Sequence, residues 1–169
     1  MENKSTLVQR ADKVAFYKPK TGEKYFRMKG FTGLSISKNP KEYTRQYVDE
    51  LFENTDVVGI SAAMDFAFDQ YKNNEVHEDL AGIIDNEIIG TDATREIVIV
   101  DFTEGDDTKG FTARAREYSV IPNTEGGSLE AYTYEGTFRV KTANIKGLAK
   151  SEDDWETCTF EKATVEAGE

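Results

Sequence analysis

Ile60-Ser61-Ala62-Ala63-Met64-Asp65-Phe66-Ala67-Phe68-Asp69 alternates along its whole length. Ile60, Ala62, Met64, Phe66 and Phe68 fall on one face, and Ser61, Ala63, Asp65, Ala67 and Asp69 on the other. Such period-two alternation predicts an antiparallel strand with one face on a core and one on water. The same rule, carried outward, finds more strands. Val14–Tyr17 and Tyr25–Met28 flank the turn signal Thr21-Gly22 and predict a hairpin. Residues 95–102 are apolar on both sides at Ile97–Val100, which predicts a strand inside a sheet. Residues 111–121 place Phe111, Ala113 and Ala115 on one face, then Tyr118 and Val120 on the other; the slip near Arg116-Glu117 predicts a β-bulge. Residues 131–143 set Tyr132, Tyr134, Phe138 and Val140 against Thr133, Glu135, Thr137, Arg139 and Lys141. A last short strand at 156–162 carries Cys158 and Phe160 on one side.

One helix interrupts this pattern. Asn73 or Asn74 can cap it, Glu75, Glu78 and Asp79 sit where the dipole favours acids, and Val76, Leu80, Ile83 and Ile84 form an apolar stripe. The fold class expected is therefore mainly β: an antiparallel sandwich or partial barrel with one flanking helix. Residues 31–59 stand apart. They are polar, contain the turn signal Asn39-Pro40, and bury no obvious aliphatic face. Long segments of this kind are either disordered or functional, here a hairpin that orders against a partner subunit.

The 169 residues fit one domain, with a core at 13–165 and flexible arms at 1–12 and 166–169. The net charge of -11 excludes general affinity for phosphate backbones. Charge is uneven: residues 1–30 hold eight basic against three acidic side chains, and residues 70–110 hold eleven acidic against three basic. Two complementary surfaces meeting head to tail between copies would use that asymmetry, and salt would loosen them. No segment has the length of apolar residues a membrane helix needs. The start is polar and lacks a secretory signal, so synthesis in a cytosol is expected.

Chemistry is thin. The single Cys158 and single His77 give no disulfide, multi-Cys zinc site or multi-His metal site. Their plain readings are a half-buried strand cysteine and a solvated helix histidine. Asp65 and Asp69 are carboxylates on one strand face, but their Cα atoms would lie about 13 Å apart, too far for acid–base work without strain. Glu104, Asp106 and Asp107 lack the ligand spacing of a calcium loop. No phosphate loop or nucleophile motif is present, so no catalytic residue, cofactor or metal is assigned.

The run Phe31-Thr32-Gly33-Leu34-Ser35-Ile36-Ser37-Lys38-Asn39-Pro40-Lys41-Glu42-Tyr43-Thr44-Arg45-Gln46-Tyr47-Val48-Asp49-Glu50 resembles the N-terminal region of major tail proteins of long-tailed bacteriophages and prophages of Gram-positive bacteria. Residues 61–69 are similar to the strand that follows there. The order of the remaining segments is similar too: acidic helix, Arg95–Val100, Phe111–Arg114, and Tyr134–Phe138. The resemblance spans most of 14–165. It implies a tail-tube protein whose hexameric rings join their inner sheets into one barrel and stack around a tape-measure protein, with a tail terminator at the end. DNA would pass through without specific binding, in a virion tail assembled in the host cytoplasm.

On that resemblance Ser61, Asp65, Asp69, Thr133, Glu135 and Thr137 are the candidate lumen residues. Lys38, Asn39, Pro40, Lys41, Tyr43, Arg45 and Tyr47 are the candidate subunit or ring contacts. A tube or ring component of a contractile injection system, a tail terminator and a head–tail adaptor share this fold type. A carbohydrate-binding sandwich would instead show exposed aromatics beyond Trp155 on one concave face.

Overall fold

The computed structural model describes residues 4–163. The arm expected at 166–169, and the first three residues of the arm expected at 1–12, lie outside them. The described strands are β1 (Lys13–Lys18), β2 (Tyr25–Arg27), β3 (Phe31–Ser37), β4 (Pro40–Arg45), β5 (Asn54–Ile60), β6 (Ala63–Asp69), β7 (Thr94–Asp106), β8 (Gly110–Glu125), β9 (Thr133–Val140), β10 (Ile145–Lys150) and β11 (Thr157–Lys162). The helix α1 spans Glu75–Asp85.

Nine strands form one sheet in the order β10-β11-β2-β1-β7-β8-β9-β6-β3, and β10 also pairs with β8. That second pairing closes β10, β11, β2, β1, β7 and β8 into a six-stranded barrel. β8 makes this possible by serving two neighbours in turn. Its residues 111–115 pair with β10, and its residues 118–125 pair with β9. The sheet β9-β6-β3 thus leaves the barrel like a flap.

Two cores follow. Phe16, Tyr25, Val98, Val100, Ala113, Ala115, Ala149 and Cys158 fill the barrel. Tyr17, Phe66, Phe68, Leu80, Ile83, Ile97, Tyr118, Val120 and Phe138 form a second core between the barrel wall, the flap and α1. β7 is apolar on both faces because it divides the two, with Val98 and Val100 in the barrel and Ile97 in the second core. The same division corrects the expected bulge at Arg116-Glu117. β7 and β8 keep continuous register from Thr94/Ser119 to Asp101/Thr112. Ala113 and Ala115 face the barrel, whereas Tyr118 and Val120 face the second core. The slip in phase is a change of core, not an extra residue.

β10 has no apolar alternation because its inward positions are Gly147 and Ala149. A Cβ on Gly147 would lie 2.2 Å from the Glu161 carbonyl oxygen and 2.6 Å from the Phe160 ring. Gly147→Ala is therefore expected to cost about 1–3 kcal/mol by overpacking the closure of the barrel, read as a lowered thermal midpoint. Trp155 packs against Phe102 and Phe111 at ring-centroid distances of 4.9 and 5.5 Å. It is a packing residue of the barrel core, not a sugar platform.

α1 begins where expected. The Asn74 side chain accepts from the Val76 and His77 backbone N–H groups, and Val76, Leu80, Ile83 and Ile84 are buried. His77 is buried too, contrary to the solvated reading. Its Nδ1 accepts from the Tyr71 N–H at 3.1 Å, its Nε2 donates to the Lys29 carbonyl at 2.7 Å, and its ring stacks on Phe68 at 4.5 Å. Backbone partners on both nitrogens fix the neutral ring, and burial pushes its pKa down from the ordinary 6.5. The unfolded chain takes up this proton first as pH falls. Stability from His77 is thus complete above pH 6.5 and declines below it. Thermal midpoints between pH 7.5 and 5.5 should fall more for the wild type than for His77→Gln. Cys158 is fully buried, not half-buried, and burial raises its thiol pKa to about 12.

Candidate functional site

β8, β9, β6 and β3 form a four-stranded layer with two unlike faces. The inner face carries Val120, Tyr134, Phe138, Phe66 and Phe68, with Leu34 partly covered. The outer face gathers five of the six residues expected on a polar surface. Asp65 lies opposite Thr137, and Asp69 opposite Thr133, with Glu135 opposite Ala67 between them. The Thr137 hydroxyl donates to Asp65 Oδ1 at 2.8 Å. Ser35 of β3 lies opposite Asp65 on its other side, and Arg139 of β9 opposite Ala63. Ser61 stands apart. β6 starts at Ala63, and Ser61 clasps the preceding turn, its carbonyl accepting from Asn39 Nδ2 at 3.1 Å.

The layer is thin at one point for a reason. A Cβ on Gly136 would fall 2.5 Å from the Ile121 carbonyl oxygen and 2.6 Å from the Phe66 ring. The glycine lets Phe66 cross under β9 toward Phe138, 4.4 Å away between centroids.

Both margins of the layer are open among the described residues. β3 ends the strand order. On the other side, β7 stops at Thr94 opposite Ser119, so β8 beyond Ser119 has β9 on one side and no strand on the other. Each neighbouring pair in the layer is antiparallel, and three reversals separate β8 from β3. The two open margins therefore run in opposite directions. Exposed edges of this kind aggregate unless something covers them.

Residues 31–59 divide into two parts. Phe31–Ser37 is a strand of the main sheet, correcting the reading of a single excursion. The register shifts between Phe31 and Gly33, which puts Phe31 on the same side as Leu34. Strict alternation is broken there, so the strand is hard to see in sequence. Pro40 to Ile60 is a free-standing two-stranded hairpin, β4 on β5, without one buried residue. Lys38 and Asn39 form its root, Pro40, Lys41, Tyr43 and Arg45 lie on β4, and Tyr47 opens the tip. The Arg45 guanidinium covers the Tyr43 ring at 5.2 Å, and the Thr44 and Thr55 hydroxyls bond at 3.0 Å. At the tip Val48, Leu51 and Phe52 are 80% exposed or more. Soluble proteins seldom leave several such side chains uncovered together on one surface.

The charge asymmetry of the sequence is partly resolved inside the chain. Lys13 pairs with Asp101 at 3.6 Å, Lys20 with Asp92 at 2.5 Å, and Lys29 with Glu156. Among the described residues no group of three His, Cys, Asp or Glu side chains could hold a metal ion. None of their helices is long and apolar enough to cross a membrane.

No family model and no curated protein matches the chain. Solved structures do. A chain from the tail of the empty gene transfer agent particle, refined with helical C6 symmetry, superposes with a TM-score of 0.59 at 13% identity, covering 82% of this chain and 97% of that one. The chain has the fold of that tail protein. A chain of the native gene transfer agent virion gives a TM-score of 0.56 at 13% identity over the same shares. A chain of the six-fold symmetrised anti-feeding prophage baseplate gives 0.50 at 9% identity, covering 85% and 97%.

Proposed function

We propose that this chain is a structural subunit of a phage-type tail tube. The four-stranded layer carries the reading. It has one packed face, one polar face, and two open margins of opposite direction. Rotation about a ring axis keeps strand directions, so β3 of one copy meets the free part of β8 of the next in antiparallel pairing. A layer with an even number of strands closes in this way without a parallel seam. Closure removes both edges, as barrels do. Six-fold symmetry in the gene transfer agent tail supports rings of six.

In such a ring Asp65, Asp69, Thr133, Glu135 and Thr137 line the lumen, with Ser61 at its rim. The acids repel phosphate and the hydroxyls keep the wall wet, so DNA passes without sticking. Lys38, Asn39, Pro40, Lys41, Tyr43, Arg45 and Tyr47 belong to the arm that reaches another subunit. The tape-measure protein, a terminator and assembly in the host cytoplasm belong to the same reading. The chain does structural work and holds no cofactor.

Negative-stain microscopy of the purified chain tests this. Long tubes with a central channel are expected. Rings that never stack would move the assignment to a terminator or adaptor, and a monomer at every concentration would remove it. The likeness to the anti-feeding prophage baseplate chain favours a second setting, the tube of a contractile injection system. A sheath-free tail would exclude it.

A further inference from the structure

The two open margins of the layer offer a partner strand different things. In an antiparallel ladder, successive residues turn their N–H and C=O groups to alternate sides. The Ser61 N–H donates to the Asn39 carbonyl at 3.3 Å. Ser37 lies opposite Ala63 and Ser35 opposite Asp65, so that bond sets Ser35 and Ser37 toward β6. Leu34 and Ile36 therefore turn their backbone groups to the free side of β3. On the other margin, the Lys141 N–H donates to the Glu117 carbonyl at 2.9 Å, and Val140 before it lies opposite Tyr118. Ser119 and Ile121 thus bond to β9, and Val120 and Pro122 face the free side of β8.

Neither free side is bare. At β3 the Arg10 side chain lies on it. Arg10 opens a short 3-10 turn, Arg10–Asp12, which is fixed where the Asp12 carboxylate accepts from the Gln9 N–H at 2.7 Å. From there Nη1 donates to the Lys13 carbonyl at 2.6 Å, and Nη2 crosses to the Leu34 carbonyl at 3.3 Å. The span roofs a hollow of about 300 Å³ whose floor includes Ala15, Ile36, Met64 and Ile99. At β8 the interruption is covalent. Pro122 has no N–H, so the margin lacks a donor where the alternation puts one. The ladder to β9 loses nothing by it, because that position points away from β9. A charged side chain laid along an edge and a proline facing outward from one are both ways in which sheets blunt their edges.

We infer that Arg10 and Pro122 guard the two margins of the free subunit, and that a second copy joins at β3 only by taking the Leu34 carbonyl from Arg10. A strand laid on β3 needs that acceptor and the space the guanidinium fills. A strand laid on β8 finds one hydrogen bond fewer than its length provides for. The guard holds back association between dilute subunits without removing the apolar core-side faces that make association favourable once it begins. That the incoming strand belongs to a second copy rests on the tube reading; the guard itself rests on the two ladders and on Arg10.

Removing each guard tests it. Arg10→Ala and, separately, Pro122→Val should each lower the concentration for half-assembly about two- to tenfold, the worth of one hydrogen bond. Light scattering over a concentration series reads this, and negative stain identifies the product. Both residues are exposed, so the monomer's thermal midpoint should hold. Arg10→Ala makes a chain of net charge -11 more negative still, so repulsion between copies alone predicts the opposite change. Half-assembly at or above the wild-type concentration in either variant would overturn the inference, and wild-type tubes would then leave the tube reading standing. Association gained without rings or tubes would keep the guard and remove the tube reading. A wild type and variants that all stay monomeric remove both.

Discussion

Replacing Asp79 with alanine should lower the thermal midpoint by about 6–20 °C. Asp79 projects from α1 onto the barrel wall. Arg95 of β7 donates to it through Nε at 2.7 Å and through Nη2 at 3.3 Å. The Tyr17 hydroxyl of β1 donates to the same carboxylate. Arg95 is 5% exposed, and its Nη1 is already committed to the Asp92 and Thr94 carbonyls at 2.8 Å. Removing the carboxylate leaves a buried guanidinium without its counter-charge and a buried hydroxyl without its acceptor. Breaking a buried ion pair on one side costs about 3–5 kcal/mol. At about 2–4 °C per kcal/mol for a chain of this size, that gives the stated range. Burial, then Asp79, pushes the Tyr17 pKa far up, so the hydroxyl remains a donor at any working pH. Asp79→Ala/Arg95→Met should recover part of the loss, because both charges are then gone. Calorimetry of the two variants checks this, and a single variant within 2 °C of the wild type would show that α1 docks without the pair.

How far the sequence led depends on what each residue faces. Met64, Phe66 and Phe68 alternate against Asp65 and Asp69 because one core lies on one side of β6. The central apolar run of β7 was legible because it is buried twice. The α1 stripe and its Asn74 cap were legible because both signals are local. β10 was hidden because a small barrel needs Gly147 and Ala149 where a strand usually shows branched side chains. β3 was hidden because its register shift breaks the alternation. His77 carried no local sign of burial; its partners, Lys29 and Phe68, come from other elements. The polar surface was read residue by residue from alternation alone, and five of its six members share one face. Ser61 stands apart from the other five because alternation continues through it although pairing does not begin until Ala63. Residues at open strand margins have no signature, since an edge is defined by which neighbour is missing.

Leu51→Ser/Phe52→Ser should leave the monomer intact and abolish assembly. Both side chains lie at the hairpin tip, 88% and 80% exposed, and neither belongs to a core. Surface changes of this kind shift stability by no more than about 0.5 kcal/mol, so circular dichroism and the melting midpoint should match the wild type. Burying a leucine or phenylalanine side chain is worth about 1.5–3 kcal/mol each. A tip that covers both on a partner therefore contributes about 3–6 kcal/mol per contact, roughly a hundred- to ten-thousandfold in affinity. In a repeating assembly every subunit supplies one tip, so the threshold concentration should rise out of the accessible range. Sedimentation velocity across a concentration series reads this directly. Unchanged assembly would mean that the exposed apolar tip serves something other than a second copy. A midpoint that drops with assembly would mean that the hairpin supports the fold after all. Edge pairing between β3 and β8 needs no tip residues, so rings that persist without stacking would assign the tip to contacts along the tube and the sheet margins to closure around it.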